Sequence, residues 1–319
     1  MDIELKEKVR IFIDLTNELK KNFKWDKKEI NFLGALIGNE AGFELDEKNI
    51  KSIRKYVMKN TKFNSKFRGE FKNVFSILMS NRKDYEKVFQ NVKYINELLV
   101  DRGFLDNKNT LYTSLLLAKK FDEDELEEVL NKLLTVKEKL IETNYNFFKK
   151  DDYLSYAYLG IEYKNFDKLI EGIEYIDSKL SSISLKEVEN LNLFYLALLV
   201  TNTKLESKIE KALKIRCNLI DKYNCIDDSI YLFLGLASSF VKNADVFSKG
   251  VCDIYNMLIE EDNFKTTGLT DNTILKISLS ITLMRYLEYI KGDIIDVDTM
   301  EEDDLIYLIE EYIVFSIIL

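Results

Sequence analysis

Two kinds of apolar segment alternate along this chain, and their spacing leaves few folds open to it. The first kind is short, apolar on nearly every side, and has Gly, Ala or Ser near its middle: Phe32–Leu36, Val74–Leu78, Ser114–Ala118, Ala157–Gly160, Tyr195–Leu199 and Phe233–Ala237. The second kind is longer and charged, with apolar residues on one side. These second segments close on large side chains at Leu19, Tyr56, Leu98, Leu140, Leu180, Leu219 and Leu258, at spacings of 37, 42, 42, 40, 39 and 39 residues. Near-constant self-similarity at such a distance is the mark of a repeat architecture.

Periodicity assigns both kinds to helices. Leu126, Val129, Leu130, Leu133, Leu134, Leu140 and Ile141 mostly follow i, i+3, i+4, i+7, with Glu127, Glu128, Lys132 and Lys137 opposite. Phe247, Val251, Ile254, Tyr255 and Leu258 do the same, and Val9, Phe12, Thr16, Leu19 and Phe23 make the stripe of an opening half-repeat. A helix apolar all round must be buried, and its small residues let a neighbour approach closely; single Gly160, Gly172 and Gly250 read the same way. A helix pair of about 40 residues cannot close a core alone, but stacked pairs can.

The predicted fold is therefore all-α: an α-solenoid of about six and a half antiparallel helix pairs in one domain, without strands. Residues 1–26 form the half-repeat, 27–266 the repeats and 267–319 a C-terminal helix pair. With neighbours about 10 Å apart, such a stack makes a curved rod about 70 Å long.

Composition restricts the chemistry. The chain of 319 residues contains no histidine and no proline, where ordinary usage near 5% would give roughly 16 prolines. AT-biased codon usage is the simplest cause, helped by the poor fit of proline to helix interiors. Imidazole bases, His-ligated metals and Ser-His pairs are excluded. No phosphate loop, nucleophile elbow or zinc spacing is present. Asp122, Asp124, Asp151, Asp152, Asn190, Asp227, Asp228 and Asp271 precede apolar periodicity and read as helix caps instead of metal ligands. The expectation is a protein that is not an enzyme and has no cofactor. The runner-up for chemistry is a metal-dependent enzyme, which would need acids from separate units to converge.

Cys217, Cys225 and Cys252 are odd in number and lack CxxC spacing, so buried, reduced thiols of a cytoplasmic protein are expected. The first residues, Met1-Asp2-Ile3-Glu4, lack the basic start of a signal peptide. The apolar stretch 305–319 is broken by Glu310 and Glu311 and is shorter than a membrane span, so it reads as a packed helix that could also serve a homodimer.

Charge is divided along the chain. Residues 1–100 carry 21 basic and 15 acidic side chains, and residues 101–319 carry 25 and 40. The basic maximum runs from Lys51 through Arg54, Lys55, Lys59, Lys62, Lys66 and Arg68 to Lys72, opposed only by Glu70; the acidic maximum lies between Asp293 and Glu311. Tyr56, Phe63 and Phe67 interleave with the basic side chains, the mixture that holds phosphates and stacks bases. The candidate binding residues are Lys51, Arg54, Lys55, Tyr56, Lys59, Lys62, Lys66, Phe67 and Arg68. The expected function is a scaffold binding a peptide or protein along the concave face of the array. The alternative is a binder of nucleic acid or another anionic partner through residues 51–72.

The motif Lys21-Asn22-Phe23-Lys24-Trp25-Asp26, the link Phe67-Arg68-Gly69, the segment Asp151-Asp152-Tyr153 and the chain length together carry a resemblance. By them the sequence resembles the bacterial family catalogued as domain of unknown function 4003, over essentially its full length. Before Phe67-Arg68-Gly69, Lys66 stands where the family pattern has proline. The resemblance implies a cytoplasmic protein of Gram-positive bacteria and supplies no activity, ligand or site residue.

Overall fold

The computed structural model describes residues 3–39, 45–143, 153–162, 165–181, 191–199, 204–220, 222–223, 230–261 and 269–291. Among the described residues there are fourteen α-helices, one 3-10 turn and no strand. The helices are α1 (Ile3–Asn22), α2 (Lys28–Gly38), α3 (Glu47–Lys59), α4 (Glu70–Leu78), α5 (Tyr85–Asp101), α6 (Lys108–Lys120) and α7 (Glu123–Glu142). They continue as α8 (Tyr153–Glu162), α9 (Phe166–Ser181), α10 (Leu191–Leu199), α11 (Leu205–Ile220), α12 (Tyr231–Phe240), α13 (Ala244–Glu260) and α14 (Asp271–Lys291), with the 3-10 turn at Lys66–Arg68.

The two kinds of segment become two kinds of helix. In α6 every residue from Thr110 to Ala118 is buried, and in α12 every residue from Tyr231 to Phe240. In α5, by contrast, burial is confined to Val88, Phe89, Val92, Ile95, Asn96 and Leu99, one face of the helix. The stripes of α1 and α13 are buried as their spacing requires. In α7 Leu126, Val129, Leu130, Leu133 and Leu140 of the stripe are buried, whereas Leu134 is half-buried and Ile141, in the last turn of the helix, is exposed.

By packing, the chain divides into two units. One comprises residues 22–30 and 42–166. Within it α3 packs on α4 and α5, α5 on α6, and α8 on both α6 and α7. At Gly160 of α8 the helices approach closely: a Cβ there would lie 3.1 Å from the backbone of Leu133 in α7. Here the small residue is needed, as its place in an apolar helix suggests.

The other unit comprises residues 1–21, 31–41 and 167–319. Within it α12 packs on α10, α11 and α14, and α13 on α11 and α14. Its first and last described helices are neighbours. Lys8 of α1 pairs with Glu288 of α14 at 2.5 Å, and Arg285 of α14 bonds Glu4 at 3.1 Å. Gly250 differs from its expected role: a Cβ there would meet Thr282 and Leu5 only at ordinary distance.

Among the described residues, Asx side chains beyond those singled out cap helix starts as their chemistry predicts. Asp46 accepts from the amides of Lys48 and Asn49, Asn107 from that of Thr110, and Asn243 from those of Asp245 and Val246. Asp122 occupies the N-cap of α7 but accepts no such bond, and Asp124 lies inside the first turn. At the start of α14 the hydroxyl of Thr270, not Asp271, accepts from an amide, that of Thr273. Asp151, Asp152, Asn190, Asp227, Asp228, Cys225 and residues 292–319 lie outside the described residues. Cys252 is buried and Cys217 exposed, both free. The expectation of a buried thiol fails at Cys217, which faces away from the stripe of Ile209, Ala212, Ile215 and Leu219. No helix among the described residues is long and apolar enough to cross a membrane.

Candidate functional site

The basic stretch belongs to the unit of residues 22–30 and 42–166, on α3, the 3-10 turn and the start of α4. Asp46 sets the start of α3, and the buried row Ile50, Ile53 and Val57 fixes which face turns inward. The basic side chains then divide by what they touch.

Arg54 leans inward. Its guanidinium makes two bonds to Asp26, at 3.1 and 2.6 Å, and its Nε donates to the Ser76 hydroxyl at 2.9 Å. The same plane lies 4.4 Å above the Phe23 ring. Arg68 closes the far end of α3: its Nε donates to Thr61 Oγ1 at 3.0 Å, and its terminal nitrogen donates to the carbonyls of Met58 and Thr61. These are carbonyls that a helix end leaves without helical partners. Lys51 pairs with Glu47 one turn earlier. Lys66 pairs with Asp106, and burial lowers its ammonium pKa below the usual lysine value. Lys72 is half-buried and lowered by the same cause, with Arg54 adding to it.

The aromatic residues are mostly internal too. Phe67 is buried edge-on against Phe71 and Phe89. Tyr56 packs on Tyr85 and Phe89, while its hydroxyl accepts from Gln90 at 3.0 Å.

What faces solvent is a smaller set. Lys55, Lys59 and Lys62 are exposed and make no ion pair among the described residues. Phe63 is 91% exposed and Met58 46% exposed, and Trp25, in the turn that carries Asp26, is 98% exposed. The nine candidate residues thus do not form one surface: Arg54, Phe67 and Arg68 hold the unit together, and Lys55, Lys59 and Lys62 are available. Trp25 and Phe63 were absent from the candidate set. A lone Trp between Lys24 and Asp26, in a polar link, is the signal that could have found the first.

Among the described residues no group of three or more Cys, Asp or Glu side chains is placed to hold a metal ion. The acids are spread among cap and ion-pair roles: Asp26 on Arg54, Glu70 between Lys27 and Lys108, Asp106 on Lys66 and Glu127 on Arg102.

Neither the curated proteins nor the solved structures contain a match to this chain. The family described as Protein of unknown function (DUF4003) matches residues 16–314, which include both kinds of helix, the Trp25 turn and the Phe67-Arg68-Gly69 link. The chain belongs to that family.

Proposed function

We propose that this protein is a non-enzymatic scaffold of about six and a half stacked helix pairs, with a repeat near 40 residues. On this reading it works in the bacterial cytoplasm and binds an acidic peptide or protein segment. The alternation of helices buried all round with helices buried on one face supports the stacked-pair reading. The free thiols Cys217 and Cys252 fit a reducing compartment.

One observation carries the partner class. After the arginines of the basic stretch have been used internally, Lys55, Lys59 and Lys62 remain exposed beside bare Met58 and Phe63. Lysines interspersed with exposed apolar side chains complement a segment that carries carboxylates and large apolar residues. Nucleic acid is the second reading, favoured by the exposed ring of Phe63, which follows Lys62 directly.

Trp25 is the single tryptophan, stands in solvent and sits in the turn that Asp26 ties to Arg54 of α3, so its emission reads binding at that helix. The test titrates the chain with a peptide alternating Glu with Leu and Phe, and separately with a single-stranded oligonucleotide. A blue shift with the peptide, lost in a Lys55→Glu, Lys59→Glu, Lys62→Glu variant of unchanged melting temperature, supports the proposal. No shift, or equal affinity in the variant, overturns it. Binding of the oligonucleotide alone, falling steeply between about 50 and 200 mM salt, moves the assignment to the second reading.

A further inference from the structure

A separate feature of the same unit is a half-open cavity of about 210 Å³ between the 3-10 turn, the start of α4 and the start of α6. Two basic and two acidic side chains line it: Lys66 and Lys108, Glu70 and Asp106. They are joined crosswise, Lys66 to Asp106 and Lys108 to Glu70 at 3.1 Å, with Lys27 also on Glu70. Between the charges, Phe71 and Leu111 supply apolar wall, and Tyr112 lines the cavity while only 1% exposed.

These observations restrict the ligand. A simple anion would match the two lysines and leave Glu70 and Asp106 facing it, and a simple cation would do the reverse. Burying a charge without its complement is costly, so neither suits a wall of balanced sign. A zwitterion satisfies both sets at once. The volume holds about seven waters, and at the packing density of a protein interior it takes one free amino acid of leucine to phenylalanine size. Burial and the charge of Glu70 raise the Tyr112 pKa, so its phenol stays protonated and able to donate. Lys27 and Lys108 outweigh the burial of Glu70 and keep it a carboxylate able to accept an ammonium.

We infer that this cavity binds a free amino acid with an apolar side chain, its carboxylate held by Lys66 and Lys108 and its ammonium by Glu70 and Asp106. The inference goes beyond the scaffold reading and does not depend on the α3 surface.

The experiment is isothermal titration calorimetry of the full chain with L-leucine, L-methionine and L-phenylalanine. N-acetyl-leucine and leucinamide, which each lack one charge, are titrated alongside. Saturable binding of at least one free amino acid is expected, weakened about tenfold or more by either cap. Lys66→Met and Asp106→Asn are the variants of choice, because their side chains are 28% and 58% exposed and their removal leaves the Glu70 pairs intact. Each is expected to weaken binding by a similar factor without moving the melting temperature. Absence of binding by all three amino acids at about 10 mM overturns the inference. So does equal binding of N-acetyl-leucine, which would make the cavity an anion site, or unchanged affinity in both variants. A failure here leaves the Trp25 titration unaffected, so the two readings fall separately.

Discussion

Arg54 and Asp26, 28 residues apart, form a two-bonded ion pair whose side chains are only 15% and 6% exposed, with the Phe23 ring against the guanidinium. The pair ties the turn that carries Trp25 to the middle of α3, and the bond from Arg54 to Ser76 extends the tie to α4. Removing one member leaves a charge enclosed without its complement. Asp26→Ala is therefore expected to destabilise the fold by about 3 kcal/mol, measured by denaturant unfolding. Arg54→Lys is expected to be harmful as well, because an ammonium cannot bond both carboxylate oxygens and Ser76 in one plane. A loss below about 0.5 kcal/mol for Asp26→Ala, the range of ordinary surface changes, would show that the pair is not structural.

The exposed cations of the same stretch should behave in the opposite way. Lys55→Ala, Lys59→Ala and Lys62→Ala are each expected to change unfolding free energy by less than about 0.5 kcal/mol. Thermal melts of the single variants check this. A larger loss at any of the three would mean that it supports the fold.

Gly160 of α8 faces the backbone of Leu133 in α7, and backbone yields less readily than a side-chain tip. Gly160→Ala is expected to cost about 1–3 kcal/mol through overpacking, despite the better helix propensity of alanine. Gly250→Ala, where an added Cβ meets only ordinary neighbours, should be neutral or stabilising. Equal effects of the two substitutions in a chemical melt would contradict the close approach of α7 and α8.

Gly103 has φ of +85°, where other residues are strained. It follows α5 in a Schellman arrangement: its own amide bonds Val100 O at 2.9 Å, and that of Phe104 bonds Leu99 O at 3.1 Å. Gly103→Ala should cost about 1 kcal/mol, and Gly103→Asn less, since asparagine tolerates this backbone. Equal costs would remove the conformational explanation.

Lys208 of α11 is fully buried and donates to the carbonyl of Leu198 at the end of α10. Burial, with a smaller contribution from Lys211, pushes its pKa down to about 7. In the unfolded chain the group returns to near 10.4. Between those values the unfolded state holds a proton that the folded state lacks, so this group makes stability rise as pH rises from about 7 to about 10.4. Its contribution to the slope is at most about 1.4 kcal/mol per pH unit, and below pH 7 it adds no further change. Lys208→Met should remove that slope, seen as diverging unfolding midpoints of wild type and variant across the window. Parallel curves would refute the assignment.

How much of this could be read in advance follows from where the information lies. The stripe of α13 is complete within seventeen residues, so its spacing alone identified Phe247, Val251, Ile254, Tyr255 and Leu258 as buried. Ile141 shares the spacing of its stripe but sits where the helix ends, and end effects depend on what packs beyond. The cavity residues Glu70, Asp106 and Lys108 carry no common motif, since they meet only where the fold brings the starts of α4 and α6 together.

Alternation of all-round and one-sided apolar segments was enough, by itself, to determine that this chain is helical and which residues turn inward along most of its helices. That is a local property, set by the helical repeat and by the exclusion of apolar surface from water. Only the tertiary structure decided that Arg54 is spent on Asp26 while Lys55 stays in solvent, and that α1 lies against α14 through Lys8 and Glu288. A charge in a sequence has no partner until the fold brings one within reach, and that choice is made by packing across tens to hundreds of residues.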